Sequence, residues 1–151
     1  MLQDLIALMD ILPSNLRDLG ALRRIEHACF PKDAWPLLDL IAVLTWPEVV
    51  RLKAVEDGLM VGFIAGDPRP SDQMAWIATV GVLPEYQQRG IGRALLQECE
   101  KRLTEPRIRL CVRVSNEPAI HLYQQEGYLA MDTWREYYND KESALVMEKI
   151  R

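Results

Sequence analysis

Apolar and polar positions change period several times along the 151 residues. Ile6 to Met9 is a short apolar run of strand length. Pro13-Ser14-Asn15 offers a helix start, and Leu19, Leu22, Ile25 and Cys29 then recur at helical spacing until Pro31. Leu37, Leu40, Ile41 and Leu44 form a second helical stripe between Pro36 and Pro47. From Val50 the period falls to two, with Leu52 and Ala54 alternating with Arg51 and Lys53. Asp57-Gly58 predicts a tight hairpin turn, Leu59 to Ala65 its returning strand, and Asp67 to Asp72 a polar loop. Met74 to Val82 predicts a third strand of this group.

The second half alternates helices and strands. Ile91, Ala94, Leu95, Cys99 and Leu103 share one helix face, and Ile108 to Val114 reads as a strand inside a sheet. Asn116 starts another helix with Ala119, Ile120 and Tyr123 inward, and Gly127 is placed to end it in the left-handed conformation. Tyr128 to Thr133 and Ala144 to Ile150 complete the set. The pattern predicts one domain, residues 1–151, of the α+β class: a mixed sheet covered by helices.

Composition narrows the picture modestly. The apolar share of 49% supports a sizeable core, and no apolar run approaches the ~20 residues of a membrane span. A basic leader with an apolar core and cleavage site is not evident, so a cytoplasmic home is expected, without a membrane partner. Cys29, Cys99 and Cys111 fit neither a disulfide framework nor a metal site. A net charge of −4 argues against nucleic acid as a partner. The charge is uneven, however. Arg89, Arg93, Lys101, Arg102, Arg107, Arg109 and Arg113 crowd one stretch against Glu98, Glu100 and Glu105. That run is either a set of solvated faces or a positive field for a phosphorylated ligand.

The segment from Val82 to Gly92 bears on the choice. A strand ends, Pro84 fixes a turn, and a helix opens with Gly90 and Gly92 in its first turn. Glycine in a helix costs ~1 kcal/mol against alanine. Close approach of an anion to the free N–H groups of a helix start would justify two of them, and close packing of a strand–turn–helix connection is the other explanation. Neither the dinucleotide fingerprint nor a P-loop is present.

Gln87-Gln88-Arg89-Gly90-Ile91-Gly92 resembles the Arg/Gln-x-x-Gly-x-Gly/Ala signature of the GNAT superfamily of N-acetyltransferases. Val80-Gly81-Val82 and Pro84 before it match that pattern as well. So do Val112-Arg113-Val114-Ser115-Asn116, Ala119-Ile120, Leu122-Tyr123 and Gly127-Tyr128 after it. Cys29-Phe30-Pro31, Trp35, Tyr137-Tyr138 and Ala144 to Met147 are similar to the bacterial ribosomal-protein-alanine N-acetyltransferases and related protein N-terminal acetyltransferases.

The resemblance implies a mostly antiparallel sheet of six to seven strands, with one pair of parallel strands splayed apart. It implies acetyl-coenzyme A as the donor, held by Val80, Val82, Gln87, Gln88, Arg89, Gly90, Ile91, Gly92, Arg93, Asn116, Ala119 and Tyr123. Backbone groups near Val80 and Val82 would meet the acetyl and pantetheine portions and steady an oxyanion. Tyr123 matches the general acid that protonates the departing thiolate, although at this spacing it also suits a core aromatic. Asn116 doubles as a helix cap. Phe30, Trp35 and Tyr138 would touch an amine acceptor in a monomer or homodimer.

One position departs from the pattern. Where the ribosomal-protein-alanine enzymes carry a glutamate proposed as general base, this chain has Cys111, read here as a small strand residue. Glu26 lies near the cleft by resemblance and could hold a proton-accepting water, but a helix glutamate is otherwise solvated. His27 and His121 read as solvated too. A weak base suits an α-amine, with pKa near ~8, better than a lysine near ~10.4. A protein N-terminus is therefore the expected acceptor. A small amine such as a polyamine, amino sugar or amino acid is the alternative, as is a coenzyme A-binding module without catalysis.

Overall fold

The structure is a computed structural model and describes residues 9–151. Strands β1 (Asp10–Pro13), β2 (Val50–Glu56), β3 (Leu59–Arg69), β4 (Met74–Val82), β5 (Arg107–Arg113), β6 (Leu129–Trp134) and β7 (Ala144–Ile150) form one sheet. Their order is β1-β2-β3-β4-β5-β7-β6. All neighbours are antiparallel except β4 and β5. The helices are α1 (Leu19–Cys29), α2 (Leu37–Thr45), α3 (Ile91–Arg102) and α4 (Glu117–Gln125). The expected element order, class and mostly antiparallel sheet are observed.

Several boundaries differ from the sequence reading. Residues 6–8 of the first expected strand lie outside the described residues, and β1 begins at Asp10. The expected loop at Asp67 is still strand, because Asp67, Pro68 and Arg69 pair with Trp76, Ala75 and Met74. Proline is tolerated there through register with a neighbour that leaves its missing N–H unneeded. The helix start at Asn15 is a single 3-10 turn, Leu16–Asp18, closed by a capping box between Asn15 and Asp18. The hairpin turn is as expected, with Asp57 at φ 51° and Gly58 at φ 77°.

Glycines decide how closely the helices approach the sheet. A Cβ on Gly62 would meet Leu95 and Ile91 of α3, while one on Gly81 would meet Cys29 and Ile25 of α1. Gly81 pairs with Phe63 and Gly62 with Val82, one step along, so α1 and α3 cover opposite faces. Helix α4 shares the α3 face: Gln97 bonds Glu126, and Arg93 bonds Gln125. Leu22, Ile25, Phe63 and Ile64, with Leu95, Leu96, Ile108 and Met147, are fully buried between these layers.

The register of β3 and β4 slips once. Ala65 pairs with Thr79 but Gly66 with Ile77, so Ala78 is an extra, bulged residue in β4. Gly66 beside this bulge also receives α3, and a Cβ there would lie 2.8 Å from the Cys99 sulfur and 3.0 Å from Leu103. We expect Gly66→Ala to destabilise the chain by about 1–3 kcal/mol through overpacking. Adding Cys99→Ala should recover part of that loss, read as a coupling in a double-mutant cycle of urea unfolding.

Candidate active site

Strands β4 and β5 pair only through Met74, Ala75 and Trp76 with Arg107, Ile108 and Arg109. Past that point β5 stays with β7 as far as Arg113, while β4 continues to Val82 beside β3. The two parallel strands therefore part immediately before the Ala78 bulge. The Leu83 N–H donates to Val61 O on β3 at 2.8 Å. Strand alternation then turns the backbone groups of Val82 and Val80 towards the gap. The Val82 carbonyl accepts from the Cys29 thiol at 3.1 Å and from Gln87 Nε2 at 3.0 Å. Gln87 thus braces the turn after β4.

The turn leads into α3 through two left-handed residues, Gln88 at φ 63° and Gly90 at φ 83°. The first intrahelical bond comes from the Ala94 N–H to Gly90 O, so the N–H groups of Ile91, Gly92 and Arg93 have no partner within the helix. Gly92 is not demanded by packing, since a Cβ there would meet Leu122 and Val82 only at 3.8 Å. The arginines are differently disposed from the expectation. Arg89 pairs with Glu56 at 3.6 Å and lies over the Tyr86 ring, and Arg93 pairs with Glu126 at 3.4 Å. Each arginine thus has a carboxylate partner while its side chain stays part-exposed, at 40% and 39%, beside the helix start with its free N–H groups.

On the α1 face, Glu26 corrects the expectation of a solvated helix glutamate: it is 2% exposed. Its Oε1 accepts from the Thr79 hydroxyl at 2.8 Å, one residue past the bulge, and its Oε2 is buried without a hydrogen-bond partner. Burial raises its pKa above the usual carboxylate range, against smaller opposing effects from Thr79 and the Trp35 N–H. Burial, with the Glu26 carboxylate second, pushes the Cys29 thiol up to about 11. His27 and His121 are exposed, as expected.

Phe30, which closes α1, and Trp35 are half-buried in the α1–α2 loop, and Tyr138 is half-buried in the β6–β7 loop. Arg113, at the end of β5, ties the two loops together. It donates to Asp33 from one loop, at 3.0 Å from Nε, and to Asp140 (2.9 Å) and Glu142 (2.7 Å) from the other. Its guanidinium lies 4.2 Å from the Tyr138 ring centroid, and Lys32 adds a bond to Asp140 at 3.3 Å. The Arg113 bonds hold Asp140 down near a pKa of about 2. Cys111 alternates with the buried Leu110 and Val112, so it shares the Arg113 face and is half-exposed. Burial raises its thiol pKa as well.

On the opposite face, Tyr123 of α4 is buried, with its ring edge-on to Tyr128 at 6.1 Å. Its hydroxyl makes no hydrogen bond among the described residues, and burial pushes its pKa up to about 12. Tyr128 is fixed in turn by its own hydroxyl, which donates to Glu100 Oε2 at 2.7 Å, while Lys149 donates to Oε1 at 2.8 Å. Asn116 caps α4 by accepting from the Ala119 N–H at 3.3 Å. Thr79, Asp33, Asp140 and Glu142 went unremarked in the sequence. Their contacts span 27 to 80 residues, and no local period marks such partners.

Comparison with known proteins places this geometry. The chain is 30% identical to an N-alpha-acetyltransferase of Sulfurisphaera tokodaii, over 89% of this chain and 88% of that one. It is 31% identical to N-alpha-acetyltransferase 50 of Danio rerio, over 92% and 83%. The crystal structure of the ribosomal-protein-S18-alanine N-acetyltransferase from Escherichia coli superposes with a TM-score of 0.84 at 28% identity, covering 94% of this chain and 93% of that one. The model of the Acetyltransferase (GNAT) family matches residues 19–128. With its splayed parallel strands and glycine-bearing helix start, the chain belongs to the GNAT family of acetyltransferases, acyltransferases whose cosubstrate is acetyl-coenzyme A.

Proposed function

We propose that this chain, acting as one acetyltransferase domain, moves the acetyl group of acetyl-coenzyme A directly onto the free α-amine of a polypeptide. The observation that carries this reading is the pairing of a strand gap with a buried, half-partnered carboxylate at its mouth: Glu26, held by Thr79 beside the Ala78 bulge. The names of the relatives, N-alpha-acetyltransferases among them, support an α-amine as acceptor. Acetyl-coenzyme A supplies the acetyl group as an activated thioester.

The chain's own groups fit such a donor. The free N–H groups of Ile91, Gly92 and Arg93 suit a pyrophosphate, and the packing leaves room above Gly92 that a Cβ would fill. The Val80 and Val82 N–H groups face the gap and suit a carbonyl oxygen that gains charge. Glu26, with its pKa raised towards neutrality, takes the proton of the α-ammonium directly or through water. Tyr123 keeps its proton up to about pH 12 and gives it to the departing sulfur. Phe30, Trp35 and Tyr138 line the approach of the acceptor on the α1 face.

Acetyl-coenzyme A should raise the melting temperature, by a stabilisation of about 2.7 kcal/mol at a ligand excess of 100 times the Kd. Gly90→Glu should abolish that rise, because it puts a carboxylate and a side chain where φ is 83°. An unshifted wild type would end the reading. Tyr123→Phe should lower kcat by roughly 10²–10⁴ without loss of stability, since the hydroxyl makes no bond to lose. Full turnover in that variant would assign Tyr123 to the core alone.

Glu26 has a signature in both stability and rate. Its folded pKa is raised, so the native state binds the proton more tightly than the unfolded chain. Stability should therefore fall as pH rises from the ordinary carboxylate range, ~4.3, through the native value. Glu26→Gln should remove that decline in the difference between wild-type and variant urea melts. It should also erase the acidic limb of the kcat/KM profile. A limb that survives Glu26→Gln would assign the base elsewhere.

A further inference from the structure

A groove of about 620 Å³ opens on the α1 face between α2 and the β3–β4 pair. Trp35, Ala42, Val43, Trp46, Val49 and Pro68 supply its apolar lining, and it reaches Ala78, the bulged residue at the mouth of the strand gap. Trp35 links it to the reacting end, because its backbone N–H favours the ionised form of Glu26. The groove therefore starts where the acceptor amine must arrive and runs across β3, away from β5. Its volume exceeds what one side chain fills and lies within the range of ligand sites.

Its wall is fixed while its surface is bare. Arg51 donates to Val43 O at 2.9 Å and to Trp46 O, which pins the last turn of α2. Trp46, just past the end of α2, nevertheless stays 64% exposed. Large apolar side chains left open around a concavity mark a contact surface. The charges at its rim are unequal. Arg69 and Asp67 neutralise each other at 2.9 Å, whereas Asp39 makes no ion pair among the described residues. The Arg51 guanidinium on the Val43 and Trp46 carbonyls offsets that charge, so the rim is near neutral, and an acidic chain is disfavoured because its carboxylates would lose hydration against the apolar lining.

Resting on the acetyltransferase reading above, we propose that this groove is a specificity site for the acceptor polypeptide, holding bulky apolar side chains from its second and third residues and excluding acidic ones. The occupant is continuous with the reacting amine, which is what a site sharing Ala78 and Trp35 with the strand gap requires. A small amine would leave the groove empty and gain nothing from it.

The test uses short free-amine peptides that differ only at their second and third residues: Leu-Trp, Ala-Ala or Asp-Glu. Acetylation by the whole chain should show kcat/KM for the apolar pair about 10–100-fold above the alanine pair, with the acidic pair lowest. Ala42→Trp, on the exposed side of α2, should cancel the apolar preference by bringing the Leu-Trp peptide down to the rate of the alanine peptide. Trp46→Ala should weaken the preference as well, as a second variant at an exposed position, and both must retain the wild-type melting temperature and its rise with acetyl-coenzyme A. Equal rates for all three peptides, or a preference untouched by both variants, would overturn the groove while the proposed function stands. Acetylation of a polyamine with none of the peptides turned over would overturn both.

Discussion

The rest of the active site depends on one break in hydrogen bonding, the loss of the β4–β5 ladder after Trp76 and Arg109. A parallel pair that stayed closed would spend the Val80 and Val82 backbone groups on β5 and leave no gap. The break has local causes. The extra residue Ala78 bends β4, and Gly66 and Gly81 let α3 and α1 press on that strand pair from either side. Meanwhile β5 is retained by a full ladder with β7 from Arg107 to Arg113. The gap is thus the space between two strands that are each better satisfied by another neighbour.

The polar groups around the gap are expensive to bury, and they differ in how far their partners offset that cost. Glu100 is fully used, with Tyr128 on one oxygen and Lys149 on the other, and it fixes the ring against which Tyr123 packs. Arg113 is likewise saturated, by Asp33, Asp140 and Glu142, and so holds together the two loops at the end of β5. Glu26 is the contrast. One oxygen accepts from Thr79 and the other has no hydrogen-bond partner among the described residues, a penalty of about 1–3 kcal/mol for a buried acceptor. Glu105 is short at one oxygen as well, so what sets Glu26 apart is its place on Thr79 beside the strand gap, where an under-partnered carboxylate suits chemistry.

The fold was largely legible because its elements carry local periods: the helix stripes, the alternation from Val50, and the Asp57-Gly58 turn. The glycine-bearing helix start was legible for a related reason, since Gly90 and Gly92 conflict with helix propensity and so announce themselves. What local pattern could not carry was pairing at long range. Nothing near Asp67 signals that the strand continues through Pro68, because that depends on Met74 and Ala75 lying opposite. Likewise the burial of Glu26 depends on Thr79, 53 residues away, and a helix glutamate read alone is solvated. The ion pairs of Arg89 and Arg93 were hidden for the same reason, since Glu56 and Glu126 arrive from elsewhere in the chain.

The placement of the proposed acid and base bears on the order of events. Glu26 lies on the α1 face and Tyr123 on the α4 face, with the strand gap between them. A proton taken from the amine on one face and another given to sulfur on the other matches a single passage of the acetyl group through the gap. A two-step route through an acetylated cysteine would need an accessible thiolate. The three thiols are placed against it: burial pushes Cys29 up to about 11 and Cys99 up to about 12, and raises Cys111. Cys29 also spends its proton on the Val82 carbonyl. Thiolate, not thiol, is the nucleophile, and burial disfavours the thiolate at each of the three. The proposed direct attack leaves the amine as the one nucleophile to order, and a cleft that orders it against a fixed oxyanion donor needs no covalent relay.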